Sequence, residues 1–171
     1  IQSWVGLPHT NEEDPPHFQH VVKADLPSIE RDGVQLRVVT GKACGLTSPV
    51  RVPMEIFYVD AQMTDGSILT LPDEYEERGA MVVGGVVESG GAHHEDGAMI
   101  LFDKGERAEI KATGAARVML LGGAPLDGPR HVWWNFVSSS RERIEQAKSD
   151  WKAMQFGTIP SDDREFIPLP D

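Results

Sequence analysis

The sequence predicts an all-β fold that is followed by a single helix near the C terminus. Short apolar runs alternate with polar residues at period two, and Gly, Pro or Asp ends most of these runs. Only one segment shows the apolar spacing of an amphipathic helix. Many short strands with no helices between them indicate a sandwich, jelly roll or barrel, and they argue against a parallel α/β sheet.

The N-terminal residues predict a strand and then a surface connection. Residues 1–8 are apolar around Trp4, and we expect them to form a strand that runs into a turn. Residues 9–20 are polar and contain two prolines, which is typical of a loop. The histidines of this loop, His9, His17 and His20, do not have the spacing of a metal site.

The central part of the chain contains most of the predicted strands. Each one combines apolar residues at alternate positions with a turn signal at its end. They lie at residues 34–38, 57–63, 68–71, 81–87, 99–102, 108–110 and 118–121.

One helix is predicted over residues 140–155. Ser139 is expected to cap its first turn, with Glu142 completing a capping box. Gly157 and Pro160 are expected to end it, and an extended tail is expected over residues 158–171. Its apolar stripe consists of Ile144, Ala147, Trp151 and Met154.

Composition and charge exclude several classes of protein. The formal net charge of −11 opposes binding to a nucleic-acid backbone, and no cluster of Lys and Arg offsets it. Cys44 is the only cysteine, so no intrachain disulfide can form, which is typical of the reducing cytoplasm. We expect a cytoplasmic protein with no transmembrane helix and no signal peptide. Because the chain starts at Ile1 and not at Met, we expect it to be a fragment.

The sequence predicts no catalytic, cofactor-binding or metal-ligating residue in this chain. Residues 90–97 contain His93 and His94 with two carboxylates, but adjacent strand residues face opposite ways, and a solvated turn is expected here. Cys44 sits among small residues without a recognisable His partner, so it is not expected to act as a nucleophile. His131 is expected to have a structural or surface role.

Four segments together resemble the pirin family. Residues 1–8 are similar to the segment with which pirins close their first cupin domain, and residues 41–49 follow the family's Gly-x-x-x-Gly-x-x-Ser-Pro pattern. Residues 120–129, Leu-Leu-Gly-Gly-Ala-Pro-Leu-Asp-Gly-Pro, resemble the family's Leu-Leu-Gly-Gly-Glu-Pro-Leu-x-Glu-Pro. Residues 136–147 resemble its Phe-Val-Met-Asn-Thr-x-Glu-Glu-Ile-x-Gln-Ala. The chain departs from the family at residues 133–135, Trp-Trp-Asn, where many pirins have Gly-Pro.

The resemblance implies the C-terminal half of a bicupin, with a cupin-type double-stranded β-helix and one C-terminal α-helix. Residues 1–20 would be the end of the first cupin and the connection, residues 21–137 the C-terminal barrel, and residues 138–171 the helix and tail. In pirins the first domain holds a single iron through His-x-His and His-x-Glu ligands. That domain would be missing here, and the family's second cupin has no metal site.

The resemblance also implies what the complete protein does. It would be an iron-dependent dioxygenase of the quercetinase type, with this chain as its non-catalytic half. We expect the Trp4 and Trp151 regions to contact the N-terminal cupin domain. The alternative is a protein-binding or regulatory module that resembles the family's transcription cofactors and has no enzymatic activity. Independently of the resemblance, a third interpretation of the residues is a stand-alone single cupin that acts without metal as an isomerase or epimerase, with Tyr58 and Asp60 on one strand face.

Overall fold

The chain folds into two compact units. The computed structural model describes residues 1–157, 161 and 165–170. Pro15–Pro125 form one unit, here called the barrel unit, and Ile1–Asp14 with Leu126–Asp171 form the other, here called the terminal unit. The domain boundaries expected for the complete protein, after residues 20 and 137, stay predictions.

Eleven strands build the described barrel unit, and neighbouring strands pair in antiparallel orientation. One sheet has the order β1-β2-β4-β11-β6-β9 with β3 paired to β2, and the other has the order β5-β10-β7-β8. The strands are β1 (Ser28–Arg31), β2 (Val34–Ala43), β3 (Leu46–Thr47), β4 (Ile56–Met63), β5 (Ile68–Thr70), β6 (Glu77–Gly84), β7 (Val86–Ser89), β8 (Ala92–Glu95), β9 (Met99–Phe102), β10 (Glu109–Ala112) and β11 (Ala116–Gly123). The all-β prediction is confirmed.

Period-two alternation decides which side chains of each strand face the interior. On β4, Phe57, Val59 and Ala61 are at most 1% exposed, while Gln62 faces solvent. A shift of one residue in the pairing would turn these apolar side chains outward, so the pattern fixes the register. At the end of β2, Gly41 has a φ of 75°, and a Cβ there would lie 1.7 Å from the Ile56 carbonyl oxygen. Only glycine fits this close approach.

The strand predicted at residues 1–8 is wrong. The backbone of these residues pairs with no strand in the described part of the chain. The Leu7 carbonyl oxygen instead accepts a hydrogen bond of 2.6 Å from the Arg130 guanidinium. The backbone groups of a strand need hydrogen-bond partners on a neighbouring strand. In residues 1–8, the Leu7 carbonyl is bound by the Arg130 side chain instead.

The terminal unit contains one hairpin and the helix. Strands β12 (His131–Trp133) and β13 (Phe136–Ser138) pair through a two-residue turn, and α1 (Arg141–Lys152) packs on the hairpin. Ile144 and Ala147 are buried, which confirms the first half of the predicted apolar stripe. No helix in the described residues is long and apolar enough to cross a membrane.

The N-terminal cap of α1 differs from the prediction by one residue. Ser140 is the N-cap, and its hydroxyl accepts a hydrogen bond of 3.2 Å from the Arg143 backbone N–H. The Ser139 hydroxyl donates to Glu12 instead. Glu142 therefore lies two residues after the cap, and its carboxylate accepts from the Ser140 hydroxyl at 2.8 Å.

The helix also ends earlier than predicted. Met154 has a φ of 57°, and its N–H donates to the Trp151 carbonyl at 3.1 Å. The Gln155 N–H reaches back to the Asp150 carbonyl at 2.9 Å, which completes a Schellman motif. Met154 is thus outside the helix and 60% exposed, not part of its apolar stripe. Gly157 follows this stop, and Pro160 lies outside the described residues.

We predict that Met154→Gly stabilises the chain. A left-handed backbone costs a side chain such as methionine free energy that glycine avoids, and glycine is preferred at this position of a Schellman motif. The free energy of unfolding should rise by about 0.5–1 kcal/mol, measured by urea denaturation. Lys152→Gly, inside α1, is the matched control and should lower it by about 1 kcal/mol. A destabilised Met154→Gly variant would contradict this account of the helix end.

Candidate functional site

Apolar side chains fill the interior of the barrel unit. The largest of those that are fully buried are Phe57, Ile110 and Leu120. The buried apolar cluster draws on most of the strands and their connections. The buried polar side chains of the barrel unit are Ser48, Asp60, Ser67 and Arg78.

Arg78 is the charged side chain at the mouth of this interior. It lies on β6 in phase with Ala80 and Val82, which are fully buried, and it is itself only 5% exposed. Its Nη2 donates to the carbonyl oxygens of Asp103 at 2.9 Å and Glu106 at 2.7 Å. Its Nε is buried without a hydrogen-bond partner. The sequence analysis missed Arg78, although its period-two phase with Ala80 and Val82 was a usable signal.

A cavity of about 620 Å³ opens beside Arg78. Its apolar wall comes from the end of β5 and from the segment before β10, and its rim is charged. The residues that line it are Cys44, Gly45, Thr70, Leu71, Pro72, Asp73, Glu74, Arg78, Gly105, Glu106, Arg107 and Ala108.

Cys44 stands at the turn between β2 and β3. Its φ of 52° and the φ of 75° at Gly45 form a tight two-residue hairpin turn. Desolvation of the sulfur, together with the negative charge of Glu74, raises the pKa of the Cys44 thiol. A raised pKa lowers the fraction of reactive thiolate, and the expectation that Cys44 is not a nucleophile stays a prediction.

The histidines singled out in the sequence are not brought together. His93 and His94 lie on β8, where His93 pairs with Glu88 and His94 with Val87, so they face opposite sides of the sheet. The turn expected over residues 90–97 is replaced by two short turns, at residues 90–91 and 96–97, with β8 between them, so this part of the prediction is corrected. His131 lies on β12 opposite Ser138. His17 and His20 are exposed in the loop.

Tyr58 and Asp60 lie on the outer face of β4. Arg117 donates to both carboxylate oxygens of Asp60, at 2.8 and 2.9 Å, and Arg37 lies 3.8 Å away. The hydrogen bonds and the charge of Asp60 raise the pKa of Arg117. Because Asp60 is engaged on the outside of the barrel, the structure does not favour an acid–base pair of Tyr58 and Asp60 inside it.

A buried ion pair joins the two ends of the terminal unit. The Arg130 side chain is 5% exposed, and its Nε lies 2.7 Å from Glu12 Oε1. Glu12 also accepts from the Ser139 N–H at 3.1 Å and the Ser139 hydroxyl at 2.8 Å. Burial opposes the ionisation of Glu12, but these hydrogen bonds and the Arg130 charge outweigh it and lower the pKa of Glu12. Arg130 also binds Asp127, whose pKa it lowers.

An aromatic cluster covers one side of the hairpin and helix. Trp151 packs edge-on against Trp134 with ring centroids 5.1 Å apart, and its Nε1 donates to the Ile167 carbonyl at 2.9 Å. Trp134 occupies the hairpin turn with a φ of 49°, an uncommon conformation for a bulky residue. Trp4, in contrast, is 54% exposed. The cluster consists of Trp133, Trp134, Phe136, Trp151, Phe156 and Phe166.

Comparison with known sequences identifies the family. The Pirin C-terminal cupin domain matches residues 58–157, which is more than half of the 171 residues. The chain belongs to the pirin family. The predicted membership of the pirin family is thereby confirmed, and the structure agrees with an all-β cupin fold.

Individual pirin relatives match almost the whole chain. A pirin-like protein of Caulobacter vibrioides is 45% identical over 100% of this chain and 59% of its own length. Pirin-1 of Arabidopsis thaliana is 26% identical over 92% of this chain and 58% of its own length. The crystal structure of quercetin 2,3-dioxygenase from Acinetobacter baumannii superposes with a TM-score of 0.87 at 31% identity, covering 98% of this chain and 57% of that one. This chain thus spans less than two thirds of each of these pirin relatives.

The residues of this pirin chain do not fit a cupin metal centre. Such a centre needs imidazole and carboxylate groups that converge from the inner faces of the barrel strands. The inward positions of β4 are apolar instead, and the buried charged side chain on β6 is the cation Arg78. Within the described residues, no three His, Cys, Asp or Glu side chains are grouped closely enough to hold a metal ion. No reaction step can therefore be derived through a metal held by these residues.

We predict that Glu12→Gln destabilises the chain at neutral pH and has little effect in acid. The folded pKa of Glu12 lies below its ordinary value of 4.5, so the unfolded state binds the proton more readily. The stabilisation is fully present above about pH 4.5 and is lost as the pH falls through the folded pKa. The free energy of unfolding at pH 7 should fall by about 2 kcal/mol, measured by urea denaturation.

The matched control for this prediction is Glu13→Gln. The Glu13 side chain is 69% exposed and pairs with Arg143 at 2.8 Å, so its loss should change stability by less than about 1 kcal/mol. An equal effect of Glu12→Gln at pH 7 and pH 3 would show that ionisation of Glu12 does not stabilise the fold.

Proposed function

We propose that this chain is the non-catalytic C-terminal cupin domain of a pirin whose complete form is an iron-dependent dioxygenase of the quercetinase type. The observation that supports this proposal is the apolar interior of the barrel unit, where Phe57, Ile110 and Leu120 occupy the space that a catalytic cupin needs for ligands. The likeness to quercetin 2,3-dioxygenase from Acinetobacter baumannii supplies the reaction class. The iron would belong to an N-terminal cupin domain and to none of the residues of this chain.

A second candidate function is that of a protein-binding or regulatory module without enzymatic activity. Apolar side chains on the outer face of β9 favour it, since Leu101 is 78% and Met99 49% exposed. The acidic surface of the chain would favour basic partners. In this case an iron-loaded complete protein would not turn over flavonols.

We predict that the purified chain binds no stoichiometric iron and does not oxidise quercetin. Its interior offers no ligands, so both properties should appear only when the N-terminal cupin domain of a pirin is supplied. Metal content is measured by inductively coupled plasma mass spectrometry, and turnover by the loss of flavonol absorbance with oxygen uptake. A His93→Ala, His94→Ala double variant is the control for adventitious binding on β8.

Three results would contradict different parts of this proposal. Stoichiometric metal in the chain alone, lost in the His93 and His94 variant, would place a metal site on β8. Turnover of quercetin by the chain alone would show that it is catalytic. Iron without turnover in the complete protein would favour the regulatory candidate.

The partner proposed for this chain is the N-terminal cupin domain, with Trp4 and Trp151 at or near the contact. Their environments differ. Trp4 is 54% exposed, whereas Trp151 is held in the aromatic cluster by its ring contacts and its hydrogen bond to Ile167. Trp4 can therefore contribute directly, while Trp151 supports the surface around it. Covering an exposed tryptophan contributes several kcal/mol at about 25 cal/mol per Å².

We predict that Trp4→Ala and Trp151→Ala both weaken association with a separately expressed N-terminal cupin domain, measured by calorimetry. Only Trp151→Ala should also lower the melting temperature of the isolated chain, because it removes packing from the cluster. Phe18→Ala, at a side chain that is 91% exposed in the loop, is the control. Unchanged binding by both tryptophan variants would exclude this contact.

A further inference from the structure

Arg78 is a buried cation whose charge is not neutralised by a direct ion pair. Its described hydrogen bonds go to the backbone carbonyls of Asp103 and Glu106. Neighbouring cations pair elsewhere, since Lys104 binds Glu76 at 2.7 Å. Within the described residues, no carboxylate lies within ion-pair distance of Arg78. A buried charge is normally paired, so the exception at this position requires an explanation.

The guanidinium of Arg78 also has unused donors. Nε is buried and has no acceptor. Both carbonyl bonds are made by Nη2, which leaves Nη1 without a partner in the described part of the chain. A guanidinium presents its donors in a planar fork that matches a carboxylate, and such charge-assisted hydrogen bonds are stronger than those between neutral groups.

The cavity beside Arg78 provides room and an apolar wall for the rest of such a ligand. It measures about 620 Å³ and is bordered by Leu71, Pro72 and Ala108, all of which are buried. A site with one buried cation and a short apolar wall suits a small molecule with one charged end and an apolar body.

The charged side chains at the rim of the cavity restrict the number of negative charges that a ligand can carry. Asp73, Glu74, Glu106 and Arg107 line the same cavity and are exposed. Arg107 is paired with Glu109 at 2.7 Å. Exposed carboxylates are screened by solvent and salt, whereas a buried guanidinium acts in a less polar environment. One negative charge can therefore be attracted by Arg78, but a second charge nearer the rim would be repelled.

We propose that the barrel mouth at Arg78 binds a small organic monocarboxylate. The carboxylate accepts hydrogen bonds from the guanidinium of Arg78, and the apolar body lies against Leu71, Pro72 and Ala108. This site does not depend on the proposed iron chemistry, because it uses only residues of the barrel unit.

The test is a titration of the wild-type chain with benzoate, followed by calorimetry and by the NMR resonance of the Arg78 Nε–H. Benzoate should shift this resonance in a saturable way. Benzamide, which has the same shape without the charge, and phthalate, which has two charges, should bind roughly tenfold more weakly or worse. These comparisons use the unmodified protein, so they hold even if a variant fails to fold.

The matched variants are Arg78→Met and Lys104→Met. Each removes one positive charge near the mouth, but the Lys104 side chain is 72% exposed and does not line the cavity. Benzoate affinity should fall roughly tenfold or more in Arg78→Met and stay unchanged in Lys104→Met. An Arg78 resonance that does not respond to benzoate, or equal affinities for benzoate and benzamide, would overturn the proposal. A folded Arg78→Met variant with wild-type affinity would do the same.

Discussion

The packing of apolar side chains between the two sheets is the interaction on which the barrel unit depends. Val59, Val118 and Leu120 are completely buried on neighbouring strands, and their antiparallel register places them side by side. Slipping any of these strands by one residue would turn its carbon groups to water and its polar groups inward. The same packing fills the middle of the barrel unit with apolar side chains, and the buried cation Arg78 lies at its mouth.

The terminal unit is organised by charge and aromatic contacts. Glu12 and Arg130 are distant in sequence, and their ion pair is supported by hydrogen bonds from Ser139 and to Leu7. A buried pair of this kind is costly to break, because the remaining partner keeps its charge without compensation. The pair therefore specifies how the N-terminal segment lies on the chain after β11, where residues 1–8 have no strand partner to do so.

Features that depend on period and composition could be predicted from the sequence, whereas features that depend on spatial neighbours could not. Alternation located the apolar strands β2, β4 to β7 and β9 to β11. It missed β3, which has only two residues, β1, which is exposed at all four positions, and β8, which carries polar residues. The N-cap of α1 could not be assigned correctly because Ser139 and Ser140 are chemically equivalent candidates. In the structure the Ser139 hydroxyl binds Glu12, which leaves Ser140 as the cap. Met154 gave no sign of a left-handed helix end, since glycine usually occupies that position.

The candidate site residues show the same contrast between what a local pattern predicts and what depends on spatial neighbours. Because His93 and His94 are adjacent on a strand, the sequence predicted that they face opposite sides of the sheet, and it gave no reason to expect a metal site. The metal-content experiments test the second point. Arg78 lies between Glu77 and Gly79 and resembles a solvated strand end when the sequence is considered by itself. Its period-two phase with Ala80 and Val82 places it inward, but the loops that supply the Asp103 and Glu106 carbonyls are not visible in the local sequence.

The hairpin turn at Cys44 has a practical consequence for spectroscopy. The chain has one thiol, it is exposed at the tip of a tight turn, and it borders the same cavity as Arg78. A maleimide fluorophore or nitroxide can therefore be attached at a single defined point without mutagenesis. Because its pKa is raised, the coupling proceeds faster in mildly alkaline buffer, where more of the sulfur is thiolate.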